Sequence, residues 1–114
     1  MTALRETLRA ELKTAMKARD RVAMTALRSA LGAIDNAEAV PIDALPRAGA
    51  AETSALGVGA ADAARRELSE TDVRALVAVE VEERRNAADE LRSAHVDRAE
   101  ALDAEADVLA ALLD

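Results

Sequence analysis

LSETDVRALVAVEVEERRNAADEL, residues 68–91, is the stretch that decides the fold. Ser69 stands three positions before Asp72, the spacing at which a hydroxyl caps the first turn of a helix while an acid reaches back to the cap amide. A helix over residues 70–94 is predicted. At 100° per residue, Val73, Leu76, Val77, Val81, Ala87, Ala88 and Leu91 share one side of it. Glu80 and Arg84 fall in the middle of that stripe, where core residues belong. They form an i,i+4 pair in the favourable order. A pair placed there must be hydrogen-bonded, because removing one partner strands the other charge away from water.

Downstream, Asp97 is the expected N-cap of a helix over 97–113. Its stripe is Leu102, Ala106, Leu109 and Leu113, with Val108 and Leu112 beside it. Upstream, residues 41–68 contain both prolines and three of the four glycines, and their apolar residues keep no sustained period. This reads as a long Ala/Gly/Pro linker, with a short helical turn near 60–66. Its G-V-G at 57–59 lacks a third glycine and a flanking strand, so it does not read as a dinucleotide loop. Before the linker, Leu4, Leu8, Leu12, Ala15 and Met16 mark a helix over 2–18. Asp20 then caps a helix over 20–39, with Met24, Leu27, Leu31 and Ile34 on its inner face and Pro41 just beyond its end. The expected architecture is all-α, a single domain over 1–114 made as a small bundle of two helical hairpins.

The 114 residues include 30 Ala but only 25 Leu, Ile and Val together, with no Phe, Trp, Tyr or Cys. The core must therefore be assembled from small side chains. A single His and no Cys leave no raw material for the usual structural zinc sites, a disulfide framework or a thiol nucleophile. The N-terminal residues carry Arg5, Glu6 and Arg9 and so lack the apolar stretch of a secretory signal. No apolar run is long enough to cross a membrane, and the expected compartment is the cytoplasm. Residues 1–36 carry seven basic and four acidic side chains, whereas residues 67–114 carry five and fourteen. That split favours packing the first hairpin against the second, and it confines any nucleic-acid contact to a local basic surface.

Arg5, Arg9, Lys13 and Lys17 recur every four residues as a basic ridge on the first helix. Like charges at this spacing mildly destabilise a helix and call for an anionic partner. The ridge is the candidate nucleic-acid-binding surface, the alternative being that its partners are the chain's own acidic helices or solvent. Arg28, Glu38 and Glu105 lie close enough to the stripes to join Glu80 and Arg84 in a polar network fixing helix register. The alternative is a cleft in which an acid beside an arginine handles an amide or carboxylate. His95 closes the third predicted helix, where an imidazolium complements the negative terminus. Glu100, Asp103 and Asp107 share a solvated face, and the Glu-x-x-His of di-metal bundles is missing, since Arg92 stands three before His95. No catalytic residue, metal ligand or cofactor is assigned.

Two segments resemble a known family. AELKTAMKARDRVAMTALRSALGAIDNAE at 10–38, with its AMK-x-x-D, Leu27-Arg28 and A-L-x-A-I run to Glu38, is similar to the opening hairpin of GatB/YqeY-like proteins. LSETDVRALVAVEVEERRNAADEL matches that family's third helix through Glu80, Val81 and Arg84, and EADVLAALL from Glu105 matches its fourth. The resemblance covers most of the chain outside the linker. It implies a helical module related to the tail of the B subunit of glutamine-dependent aspartyl/glutamyl-tRNA amidotransferase. Such a tail is associated with holding tRNA, and the amide chemistry, a carbon–nitrogen ligase reaction with glutamine as nitrogen donor, belongs to other parts of that enzyme. The implied partner is tRNA or a tRNA-amidating complex. A protein partner, or self-association through the apolar stripe at Leu109–Leu113, is the alternative. A free-standing amido-ligase is disfavoured, because no Ser/Lys amidase arrangement or phosphate loop is visible. The chain departs from the family pattern at Ala94-His95, where Gly-Arg is usual, and in stopping at Leu113-Asp114 where a further helical region is usual.

Overall fold

The computed structural model of the chain describes residues 2–39 and 67–114. The described residues fold as α1 (Ala3–Ala18), α2 (Arg21–Ala39), α3 (Glu70–Leu91) and α4 (Val96–Leu113), with no strand among them. The helices form two antiparallel hairpins, α1–α2 and α3–α4, and α2 joins them by packing against both α3 and α4. The linker expected at 41–68, with its turn near 60–66, lies outside the described residues except for Glu67 and Leu68.

Helix ends follow local chemistry closely. Thr2 Oγ1 accepts from the Arg5 amide at 3.3 Å and starts α1. At the other end Arg19 adopts a left-handed backbone, φ 58°. The Arg19 amide donates to Met16 O and the Asp20 amide to Ala15 O, which together close a Schellman turn. Asp20 then accepts the Ala23 amide at 3.1 Å, so one residue both completes the α1 turn and caps α2. On α3 the capping box is complete: Asp72 N donates to Ser69 Oγ and Ser69 N to Asp72 Oδ2, each at 3.1 Å.

The second hairpin turns earlier than its sequence suggests. α3 ends at Leu91 rather than at residue 94, and Leu91 O accepts from both the Ala94 and His95 amides. His95 leaves the helical region and becomes the N-cap residue of α4, with no side-chain cap. Asp97, expected as that cap, sits instead in the first turn, where its charge still complements the helix N-terminus. The sequence has no glycine or proline here to mark the turn.

Leu4, Leu8, Leu27, Ile34, Val73, Val77 and Leu109 form the main core with Ala15, Ala23, Ala26 and Ala30. Ala26 and Ala30 on α2 are fully buried and let its neighbours approach closely. Met16, at the edge of the α1 stripe, is 49% exposed, contrary to its sequence assignment. A second, smaller cluster of Ala88, Ala99 and Leu102 lies toward the α3–α4 turn, outside the reach of α1 and α2.

Candidate functional site

Between these two apolar clusters lies a layer of charge. Arg84 projects from α3 with its side chain 12% exposed, between Glu80 at 14% and Glu105 of α4 at 9%. Its Nε donates to Glu105 Oε1 at 3.0 Å and its Nη1 to Glu80 Oε1 at 2.9 Å and to Glu80 O at 3.2 Å. Ser29 of α2 donates its hydroxyl to Glu80 Oε1 at 2.7 Å. Three helices therefore meet in one polar layer. The network expected from the stripe is present for Glu80, Arg84 and Glu105.

Its other two expected members are elsewhere. Arg28 is exposed on the outer face of α2. One residue further, about 100° around the helix, Ser29 turns toward α3 and takes the place assigned to Arg28. The sequence signal that could have found Ser29 is its position among the small residues Ala26, Ala30 and Ala33 on the α2 flank. Glu38 lies at the far end of α2 and pairs with Arg5, whose Nη2 is 2.6 Å from Glu38 Oε1.

That pairing also divides the basic ridge. A four-residue step advances about 40° around an α-helix, so the ridge winds from a protein-facing flank to the solvent side. Arg5 is buried beside Leu4, while Arg9, Lys13 and Lys17 are exposed. Arg5 is thus removed from the candidate nucleic-acid surface, because it serves a buried ion pair. Arg21, also exposed, extends the cationic surface past the α1–α2 turn.

The acids of α4 are divided in the same way. Asp107 accepts from Arg85 Nη2 at 3.0 Å, and Asp103 lies between Arg85 and Arg92, 3.0 Å from the latter. Glu100 is exposed. Hydrogen bonds from Arg92 to Asp89 and then to Asp103 hold its guanidinium above the ordinary arginine range. Among the described residues no group of three His, Cys, Asp or Glu side chains could hold a metal ion, and no helix is long and apolar enough to cross a membrane.

The chemistry open to the Arg84 layer is limited by its own bonding. Glu80 Oε1 already accepts from both Ser29 and Arg84, so its lone pairs are taken up inside the layer. The cavities bordered by Arg5, Val79 and Leu112 are lined by other side chains. The layer bonds α3 to both α2 and α4. No family model, curated protein or solved structure matches the chain.

Proposed function

We propose that the chain is a non-catalytic helical binding module of the GatB/YqeY-like type, contacting tRNA or a tRNA-amidating complex through the outer face of α1. The observation that supports this most is the division of the cations. Arg84 and Arg5 are enclosed among carboxylates, whereas Arg9, Lys13, Lys17 and Arg21 face outward around the α1–α2 turn. An otherwise acidic protein of net charge −7 keeps here a local surface on which phosphates are not repelled. The family reading rests on the motif residues of 10–38 and 68–91.

Binding of labelled tRNA measured across a salt series tests the reading. The expected result is weak, strongly salt-dependent binding. Lys13→Glu with Lys17→Glu should reduce the salt slope by about 0.7–0.9 for each phosphate that is no longer neutralised. Absence of binding at low ionic strength overturns it. A second reading, a protein-interaction module, is favoured by an apolar groove of about 240 Å³ between α2 and α3, bordered by Leu68, Leu76 and the half-exposed Val79. Light scattering that detects a dimer weakened by Val79→Lys would favour this second reading.

A further inference from the structure

What a protein recognises in RNA depends on the side chains it can lay against the bases. Unpaired bases are held by stacking on aromatic rings, and splayed bases by pockets that hydrogen-bond their edges. This chain has no Phe, Trp or Tyr and a single histidine. That histidine, His95, stands at the start of α4 in the α3–α4 turn, where the apolar cluster of Ala88, Ala99 and Leu102 belongs to α3 and α4 alone. The outward cations lie instead on α1 and at the α1–α2 turn. A strand laid on α1 therefore meets no aromatic plane.

The face itself suits phosphates. Lys13 and Lys17 stand one helical turn apart, with the short, exposed side chains of Ala10 and Thr14 next to them. No bulky side chain of α1 holds a backbone away from the two ammonium groups. Glu6 shares this face but lies about 10 Å nearer the N-terminus than Lys13. Past the turn, Arg19 and Arg21 are exposed as well. The cavity that borders α1 on its α4 side, about 230 Å³, has Glu11 and Asp20 among its lining residues, with Leu27, Val108 and Leu112. A base inserted there would bring its flanking phosphates against two carboxylates.

We propose that α1 grips the phosphates of a double-helical RNA stem and reads no base. This rests on the RNA reading above and names the part of the RNA that is engaged. A duplex releases more counterions per phosphate neutralised than a single strand does, and without stacking a single strand has nothing to offset that difference. Choice among RNAs of different sequence then falls to whatever protein the module accompanies. Fluorescence anisotropy of the full chain with four labelled RNAs tests it: a tRNA, two duplexes of about 16 base pairs with unrelated sequences, and an oligouridine single strand of the same length. The two duplexes should bind within about threefold of each other, and the single strand at least about fivefold more weakly. Arg9→Lys with Arg19→Lys and Arg21→Lys keeps the charge but removes the exposed guanidinium planes, and should change each affinity by less than about twofold. A single strand that binds as tightly as the duplexes, duplexes that differ by more than about tenfold, or a loss in the lysine variant confined to the single strand would each overturn this inference, while tRNA binding leaves the RNA reading standing. Silence of all four RNAs at low ionic strength overturns both.

Discussion

The Nε–H of Arg84 donates to the Glu105 carboxylate at 3.0 Å across the α3–α4 interface, between residues 21 positions apart in sequence. Directional bonding of this kind is satisfied in a single helix register, whereas Ala and Leu stripes pack acceptably in several. A slip of α4 by one residue would carry Glu105 about 100° away. With 30 Ala in the chain, side-chain shape alone specifies register weakly, and the buried charges supply what the small side chains lack.

Truncating Arg84 should therefore be severe. Arg84→Ala leaves Glu80 and Glu105 facing each other in the same enclosed layer and is expected to cost about 3–5 kcal/mol in urea unfolding. Replacing all three charges, Glu80→Leu, Arg84→Met and Glu105→Leu, should leave the chain folded and at least as stable. Equal denaturation midpoints for wild type and Arg84→Ala would show that the layer is not shielded from water.

Arg92 provides the contrast. It has two acidic neighbours, Asp89 and Asp103, but it is exposed. Because its pKa is raised, its contribution is complete below the pKa of the unfolded chain and disappears only as pH rises through the folded value, above the ordinary working range. Arg92→Ala should change the melting profile little at neutral pH, and any difference should vanish in high salt.

Glu70 caps a helix that is not its own. Its Oε1 accepts the Leu4 amide at 3.2 Å from 66 positions away, and its other oxygen lies 3.4 Å from Arg74 Nε. Arg74 in turn donates to Leu113 O at 3.0 Å, at the end of α4. Glu70→Ala should cost about 0.5–2 kcal/mol. Hydrogen exchange at Leu4 should accelerate by more than at Val77, and equal effects at the two amides would show that the bond is not specific.

Two substitutions should stabilise the chain. Arg19 holds a left-handed backbone, which disfavours any L side chain by about 1 kcal/mol, so Arg19→Gly should raise the melting temperature. Gly32 lies within α2, and a Cβ added there meets nothing within 4 Å. Gly32→Ala should gain about 0.5–1 kcal/mol through helix propensity. A lowered melting temperature for Gly32→Ala would mean that another surface packs on this face.

The helices, the caps at Asp20 and Ser69 and the charged interruption of the α3 stripe were legible in the sequence because each depends on near neighbours: Asp20 on Ala23, Ser69 on Asp72, Glu80 on Arg84. These are one-turn relations, fixed by the 3.6-residue repeat and by the unsatisfied amides of a helix start. The tertiary structure alone decided which partner each remaining charge takes. Periodicity shows how far a residue lies around its own helix but not which helix faces it. Ser29, at the exposed edge of the layer, therefore took the place expected for Arg28 beside Glu80, Arg5 left the basic ridge for Glu38, and Glu70 came to cap α1. The α3–α4 turn closes on Leu91 O, with no glycine or proline near Leu91 to announce it.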